Sequence, residues 1–135
     1  MRNLLIILGL FFSLETQAST HQELLNQYEV QAKQENPAFS GFSADRGAVF
    51  FNNEHMHSDG NKESCATCHT KNPRNSGKTR ANKIIEPMAT VANPHRFTDE
   101  IKVEKWFGRN CKDVLERNCT SQEKGDYIQY LVNFK

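Results

Sequence analysis

The sequence predicts an all-α domain made of short helices and loops. Apolar residues recur at helical spacing in several segments, and residues that commonly begin helices stand just before them. No stretch of useful length alternates apolar and polar residues, as a half-buried β-strand does. The chain has 135 residues, which suits one small domain better than two.

The first 18 residues are expected to be a signal peptide and not part of the fold. A short basic start precedes an apolar run at residues 4–14, and small residues at 16–18 favour cleavage after Ala18. This run is shorter than the about 20 apolar residues that span a bilayer, and an uncleaved anchor is the alternative. We therefore predict export to the periplasm and a mature domain of residues 19–135.

The near-balance of charge argues against nucleic acid as a partner. The chain carries 17 Lys and Arg against 16 Asp and Glu, a net charge of +1, and no basic patch dominates it. All four cysteines lie in the mature part, which an exported chain delivers to an oxidising compartment.

Two helices are expected in the first half of the chain. The first covers residues 19–35, and Asn36-Pro37 ends it. Its apolar side consists of Leu24, Leu25, Tyr28 and Ala32. The second begins after Ser43, which caps its N-terminus, and runs through Phe51. Residues 52–82 are polar and without apolar period, so we expect loops there, although such length is uncommon unless the chain wraps something.

Further helices are expected after residue 97. One opens at residues 98–100 and ends at Gly108, and a short helix at 112–117 follows it. The buried side of the first would be Ile101, Val103, Trp106 and Phe107. The last helix is capped at Ser121. Its apolar stripe consists of Tyr127, Ile128, Tyr130, Leu131 and Phe134.

The motif Cys65-Ala66-Thr67-Cys68-His69 carries the clearest chemistry in the chain. Two thiols three positions apart can reach the two vinyl groups on one edge of a porphyrin, and His69 then falls under the iron as its proximal ligand. The predicted helices at 43–51 and at the C-terminus match the pair that cross in class I cytochromes c. We therefore predict one covalently attached haem c and a class I cytochrome c-like fold.

Other uses of the cysteines fit the sequence less well. Half of a zinc site would need a second pair at similar spacing, whereas Cys111 and Cys119 are eight positions apart. A redox dithiol would need a βαβ context, and a simple disulfide at the motif would leave His69 without a role. For Cys111 and Cys119 we predict a disulfide, which loop closure makes worth roughly 2.5 kcal/mol; two free thiols are the alternative.

The residues alone leave the sixth iron ligand open. A Met sulfur is usual in class I electron carriers and raises the reduction potential. Met88 is the Met candidate, 19 residues after His69, because Met56 precedes the haem motif. Three histidines are also available, although surface positions are the simpler expectation for them: His55, His57 and His95.

A further set of motifs runs through most of the chain, over about residues 24–132. Its members are Asp45-Arg46-Gly47, Gly77-x-Thr79-Arg80, Arg96-Phe97-Thr98-Asp99, Val103-Glu104-Lys105-Trp106, Gly108-Arg109-Asn110-Cys111 and Cys119-Thr120. Together with the haem motif, they resemble the sphaeroides haem proteins, an oxygen-binding family of class I cytochromes c. The run from Arg96 to Cys111 is the specific part of this resemblance.

The resemblance implies that Asn110 is the distal iron ligand and that Cys111 pairs with Cys119. The Asn110 side chain would bind ferric iron and move away on reduction, so that a diatomic ligand enters. An amide oxygen is a hard, weak ligand that suits Fe(III) better than Fe(II). Met88 stands where a non-ligating aliphatic residue is expected, so it competes for the iron. A cap at a helix terminus is the other role open to Asn110.

Supporting roles are expected for three more residues. Trp106 and Phe107 would wall the haem, with ordinary core packing as the simpler role. Arg80 would pair with a haem propionate, because the resemblance includes it. It belongs to an acid-free basic run that faces an acidic redox partner or only solvent: Lys71, Arg74, Lys78, Arg80 and Lys83.

The expected function is that of an exported monohaem cytochrome that binds oxygen, nitric oxide or carbon monoxide at the ferrous haem after Asn110 leaves. The resemblance implies a dihaem cytochrome c as electron donor, with a membrane cytochrome b as another source. Slow turnover of oxygen or nitric oxide is compatible with this role, and no catalytic residue is assigned. The alternative is plain outer-sphere electron transfer with Met88 as the sixth ligand.

Overall fold

The computed structural model describes residues 20–135, and its helical domain confirms the predicted all-α class. Its helices are α1 (His21–Glu35), α2 (Ala44–Asn52), α3 (Cys65–His69), α4 (Glu100–Leu115) and α5 (Ser121–Asn133). The expected signal peptide at residues 1–18 lies outside the described residues. Within residues 20–135, no helix is long and apolar enough to cross a membrane.

Side-chain caps fix the starts of the first two helices. Thr20 accepts a hydrogen bond from the backbone N–H of Glu23, and the Glu23 carboxylate accepts one from the backbone N–H of Thr20. Ser43 caps α2 as predicted, by accepting from the Arg46 N–H at 3.2 Å. α1 ends before Pro37, because proline and the residue ahead of it disfavour a continuing helix.

The polar stretch predicted as loop, residues 52–82, contains α3, one small antiparallel hairpin and the first strand of a second hairpin. β1 (His55–Met56) pairs with β2 (Lys62–Glu63), and β3 (Gly77–Lys78) pairs with β4 (Ile84–Ile85). Strands of two residues are too short to show the alternation that identifies a strand in a sequence. The two hairpins flank α3 in the chain, one on each side.

α4 is one continuous helix, so the predicted end at Gly108 and the separate helix at 112–117 are wrong. Gly108 does not adopt the positive φ of a helix-ending glycine, and a Cβ there would meet no neighbouring atom within 4 Å. The helix ends instead at Glu116, whose φ of 56° lies in the left-handed region. Packing of the inner side of α4 outweighs the weak helix propensity of one glycine.

The inner side of α4 also differs from the prediction at two residues. Val103, Phe107 and Cys111 follow at four-residue spacing and pack in or against the core. Ile101 is 84 % exposed and Trp106 is 42 % exposed, so their predicted burial is wrong. Each residue of a helix turns by about 100°, which carries both side chains away from the inner side.

α5 begins with Thr120 as its cap, one residue before the predicted Ser121. Thr120 and Glu123 form a reciprocal cap like that of α1. The Ser121 hydroxyl instead donates to Glu35 Oε1 at 2.6 Å, which fastens the start of α5 to the end of α1. The predicted stripe is confirmed in its central part, where three residues are buried: Tyr127, Ile128 and Leu131.

α2 and α5 cross at close range, as predicted from the class I cytochrome arrangement. A Cβ on Gly47 would fall 1.9 Å from the carbonyl oxygen of Asp126 and 2.7 Å from the Cβ of Tyr130. The Arg46 guanidinium pairs with Asp126 at 2.8 Å, and the same carboxylate accepts from the Ser43 N–H at 2.7 Å. The core continues from this crossing to α1 and α4 through Leu24, Tyr28, Phe51, Phe107, Ile128 and Leu131.

Candidate haem-attachment site

A short helical turn, α3, holds the predicted attachment residues together. The Ser64 hydroxyl accepts from the Thr67 N–H at 3.2 Å, and Thr67 Oγ1 accepts from the Ser64 N–H at 3.0 Å. Cys65 and Cys68 lie three residues apart in this turn, so their side chains leave the helix on the same side. Neither thiol is in a disulfide. His69 follows directly, at the end of the turn.

His69 is partly buried, and its imidazole is neutral at neutral pH. Burial, with the positive charge of Arg96 as a smaller cause, lowers the pKa of His69 to about 4. Its ring centroid lies 6.4 Å from that of Phe51. Among residues 20–135, no hydrogen-bond partner reaches its buried Nδ1 atom. A neutral imidazole is the form that binds a metal ion.

The two thiols complete a set of side chains that fits a covalently attached haem. Burial raises the pKa of Cys65 to about 12, so this thiol is protonated at neutral pH. Tyr127 of α5 lies within electrostatic reach of Cys65. Two neighbouring thiols outside any disulfide, followed by a neutral, partly buried imidazole, are the groups that C-x-x-C-H attachment requires.

The backbone of β3 lies directly against α3. A Cβ on Gly77 would fall 2.0 Å from the carbonyl oxygen of Cys68 and 3.0 Å from the Cα of His69. Only glycine allows so close an approach, which gives Gly77 its role in the motif Gly77-x-Thr79-Arg80. Thr70, with a φ of 65°, turns the chain immediately after His69.

Asn110 lies inside α4, whose last residue is Leu115. A cap at a helix terminus, the other role open to this residue, is therefore wrong. The Asn110 side chain is half-buried, and within the described part of the chain no hydrogen bond engages its amide group. It stands four residues after Trp106, so the two side chains share one side of the helix.

The predicted disulfide between Cys111 and Cys119 is present, with the two Cα atoms 5.6 Å apart. Cys111 is the residue after Asn110, and Cys119 precedes Thr120, the cap of α5. The disulfide therefore anchors the segment of α4 that carries Asn110 to the start of α5.

The methionines differ sharply in their surroundings. Met88 is 8 % exposed and belongs to the core, and its backbone N–H donates to the Pro73 carbonyl at 2.9 Å. Met56 is 64 % exposed on β1. Met88 is thus the buried methionine that the sequence offered as a competing ligand, and its burial equally suits plain core packing.

The three histidines considered as alternative iron ligands are not equivalent. His57 donates from Nε2 to the Val114 carbonyl at 2.8 Å, and His95 is exposed. His55 lies against Phe50, with ring centroids 6.5 Å apart, and its buried Nε2 has no hydrogen-bond partner in the described chain. The surface positions expected for all three therefore hold for His95 but not for the ring of His55.

The predicted aromatic wall is divided between the core and the surface. The Phe107 ring is buried, 5.4 Å from the ring of Tyr127 and 6.2 Å from that of Tyr28. Trp106 lies at the surface, with the Arg109 guanidinium 5.8 Å from the centre of its ring. Phe107 packs as an internal aromatic residue, and the contact of Trp106 and Phe107 with haem stays a prediction.

The basic run after the motif is exposed. Arg80 pairs with Glu63 at 2.9 Å, and this hydrogen bond raises the pKa of Arg80, with smaller contributions from Cys68 and Asp113. Within residues 20–135, no ion pair forms at the other members of the run: Lys71, Arg74, Lys78 and Lys83. Arg80 therefore lies near both the attachment turn and the last part of α4.

Two residues near the site had no predicted role of their own. The Arg96 guanidinium donates to the Pro87 carbonyl at 2.8 Å and carries its charge close enough to His69 to lower that pKa. Tyr127 is buried, with its ring 5.8 Å from that of Phe51. Arg96 was marked only by its motif, and nothing in the apolar stripe of α5 distinguished Tyr127 from ordinary core.

Comparison with known proteins gives two relatives. Residues 37–131 match a domain of unknown function (DUF1924). Cytochrome c'' of Methylophilus methylotrophus is 35 % identical over 135 residues, covering 98 % of this chain and 94 % of the relative. The cytochrome c-type protein SHP of Cereibacter sphaeroides is 43 % identical over 89 residues, covering 66 % of this chain and 69 % of the relative.

Solved structures show the same relationship. The crystal structure of oxidized cytochrome c'' from Methylophilus methylotrophus matches with a TM-score of 0.77 at 37 % identity, over 85 % of this chain and 94 % of that one. The structure of oxidized SHP, an oxygen-binding cytochrome c, matches with a TM-score of 0.74 at 37 % identity, over 84 % and 96 %. The solution structure of cytochrome c'', which concerns haem-ligand detachment, matches with a TM-score of 0.74 at 38 % identity, over 84 % and 92 %. The chain therefore belongs to the DUF1924 family and, with cytochrome c'' and SHP, to one family of c-type cytochromes.

Proposed function

We propose that this protein is an exported cytochrome with one haem c, in which Asn110 closes and opens the sixth position of the iron. The observation that carries the proposal is the place of Asn110, half-buried inside α4 beside the disulfide at Cys111. Because no hydrogen bond engages its amide in residues 20–135, that group is available to an iron. The oxygen binding of SHP and the haem-ligand detachment of cytochrome c'' support it.

The attachment residues have separate tasks. Cys65 and Cys68 would hold the haem through two thioether bonds, and His69 would bind the iron on the proximal side. A pKa of about 4 keeps His69 unprotonated for this task at neutral pH. When bound, haem supplies an iron that exchanges one electron and accepts a sixth ligand.

Asn110 is chemically suited to be a ligand that leaves. Its amide oxygen is a hard donor, which suits ferric iron better than ferrous iron. Reduction of a bound haem would therefore weaken the hold of Asn110, and the position that Asn110 leaves would be open to oxygen, nitric oxide or carbon monoxide.

The exposed basic run supports an acidic electron donor. Four exposed members of the run form no ion pair within residues 20–135, and positive charge near an electron-transfer site speeds encounter with an acidic surface. We propose a dihaem cytochrome c as this donor, with a membrane cytochrome b as the other source. Residues 1–18 would export the chain to the periplasm.

Plain electron transfer with Met88 as the sixth ligand is the second candidate function. It is favoured by the burial of Met88 in the core cluster that also contains Ala66 of α3 and Phe107. A Met sulfur is a standard axial ligand in cytochromes c and holds the iron closed. A haem ligated in this way would be nearly inert to carbon monoxide.

Absorption spectra decide between the two candidates. The mature chain with attached haem would be measured as ferric, ferrous and ferrous with carbon monoxide, for the wild type and Asn110→Ala. Asn118→Ala serves as the control, at an exposed asparagine outside α4. We expect a high-spin ferrous spectrum that shifts with carbon monoxide, and a six-coordinate ferric spectrum that only Asn110→Ala alters. A low-spin ferrous spectrum that ignores carbon monoxide, with no effect of Asn110→Ala, would favour Met88.

A further inference from the structure

The end of α4 is bonded to the loop of the β1–β2 hairpin. The His57 ring donates from Nε2 to the Val114 carbonyl at 2.8 Å. Ser58 donates twice to the Glu116 carboxylate, from its backbone N–H at 2.9 Å and from its hydroxyl at 2.6 Å. We call these three hydrogen bonds the hairpin tether. They join parts of the chain that are far apart in sequence.

The conformation of Glu116 shows that its side chain has a task. Its φ of 56° is strained for a residue with a Cβ, and glycine ends helices in this conformation without strain. The cost of this backbone conformation is offset by the hydrogen bonds that the Glu116 carboxylate accepts. The two hydrogen bonds from Ser58 lower the pKa of Glu116, so it is ionised at neutral pH and accepts both bonds as a charged group.

The hairpin tether connects the two sides of the proposed iron site. β2 ends at Glu63, and the next residue, Ser64, caps the attachment turn. At the other end, Val114 lies one helical turn after Asn110. One continuous path of covalent and hydrogen bonds thus runs from His69 through α3 and the hairpin to Asn110.

We propose that His57, Ser58 and Glu116 are positioning residues that limit how far Asn110 can withdraw from the iron. The inference rests on the proposed function, because it assigns Asn110 to the sixth position. A ligand held close to its site has a high effective concentration and rebinds quickly. With the hairpin tether intact, the end of α4 stays near α3, and Asn110 leaves by a small movement and returns.

Ferric ligand exchange measures this restraint. Imidazole can enter the ferric protein only when Asn110 has left, so its binding rate reports how readily Asn110 withdraws. We expect Glu116→Gly to raise that rate on the order of tenfold, because it removes two hydrogen bonds to a charged acceptor. The ferrous carbon monoxide rate should change less than about twofold, because Asn110 has already left in that state.

Glu116→Gly is also the variant least prone to unfold the protein. It relieves the strained φ while it removes the two Ser58 hydrogen bonds of the hairpin tether, so the unfolding midpoint should stay close to that of the wild type. Ser58→Ala is the second variant. It removes only the hydroxyl bond to Glu116, so it should raise the ferric rate in the same direction but by less than Glu116→Gly. In Glu116→Gln, the amide oxygen can still accept from the Ser58 N–H and the amide nitrogen can donate to the Ser58 hydroxyl. The exchange rate of this variant should therefore stay close to that of the wild type. Glu29→Gln, at an exposed glutamate of α1, is the matched control.

A double variant tests whether the effect passes through Asn110. In an Asn110→Ala background, Glu116→Gly should leave imidazole binding unchanged, because no side chain remains to be displaced. Wild-type exchange rates in both Glu116→Gly and Ser58→Ala would overturn the inference, and so would an effect that persists in the Asn110→Ala background. If instead Asn110→Ala itself changes neither spectrum nor exchange, the proposed function fails and the inference falls with it.

Discussion

The helix crossing at the centre of the fold leaves no space between Gly47 and the backbone carbonyl of Asp126. A Cβ at residue 47 would lie 1.9 Å from that oxygen. Because the oxygen is part of the backbone, it cannot rotate away as a side-chain atom could. Gly108, in the middle of α4, is the opposite case, since a Cβ there would meet nothing within 4 Å. The two glycines are therefore a matched pair for testing the packing of the domain.

We expect Gly47→Ala to lower the free energy of unfolding by about 3 kcal/mol or more, because α2 and α5 must move apart to admit the methyl group. Gly108→Ala should raise it by up to about 1 kcal/mol, since alanine is the better helix former in an open position. Urea unfolding of the haem-loaded protein checks both values. Equal effects of the two variants would show that the crossing is looser than described.

The disulfide between Cys111 and Cys119 should contribute roughly 2.5 kcal/mol to the free energy of unfolding, because it closes a short loop in the unfolded chain. The double variant Cys111→Ser/Cys119→Ser removes it without affecting the thiols of the haem motif. Urea unfolding with and without a reductant measures the difference. The reductant should destabilise the wild type but not the double variant, and a wild type that ignores reductant would contradict this expectation.

Stability should fall in acid partly through Glu104. Burial alone would raise the pKa of this carboxyl, but hydrogen bonds from Lys124 and Tyr28 outweigh it and lower the pKa in the folded state. Because the folded pKa is depressed, the contribution of Glu104 is complete above the unfolded pKa of about 4.3. It is lost as the pH falls through the lower folded value.

Glu104→Gln should therefore reduce the stability near neutral pH and flatten its decline in acid. Unfolding free energies measured between about pH 7 and pH 3 test this slope. Glu29→Gln is the control, because Glu29 pairs with Lys33 one turn along the same exposed helix side. If the free energy of unfolding falls as steeply in acid for Glu104→Gln as for the wild type, Glu104 does not cause the acid destabilisation.

Replacing Met88 separates its structural role from ligation. Met88→Leu conserves volume in the core and should cost less than about 1.5 kcal/mol. If Asn110 is the sixth ligand, the ferric and ferrous spectra and the response to carbon monoxide should not change. A loss of the low-spin spectrum in Met88→Leu, with Asn110→Ala silent, would assign the iron to the sulfur instead.

Local signals predicted the first half of the fold well. Ser43 favours the start of a helix, and α2 begins directly after it. Pro37 disfavours a continuing helix, and α1 ends before it. Gly108 misled the prediction of α4, because a glycine can end a helix or simply lie on its open side. Only the packing of Phe107 and Cys111 against the rest of the core decides which occurs.

The candidate attachment motif is recognisable in the sequence because haem attachment requires a fixed spacing within five consecutive residues, Cys65 to His69, and its role stays a prediction. The contacts around it are not recognisable in the sequence. The bond from His57 to Val114 joins residues 57 positions apart, and the charge of Arg96 reaches His69 across a fold that no local pattern describes. Such contacts depend on tertiary geometry, which periodicity and spacing do not encode.

The bonds that join α5 to the earlier helices constrain the order in which this chain matures. Ser121 bonds to Glu35 across 86 positions, and Asp126 pairs with Arg46 across 80. The core therefore cannot close until the last helix has been synthesised. Until then, Tyr127, which lies within electrostatic reach of Cys65 in the folded protein, is not in place beside that thiol. The C-terminal position of α5 thus makes late folding a property of the topology.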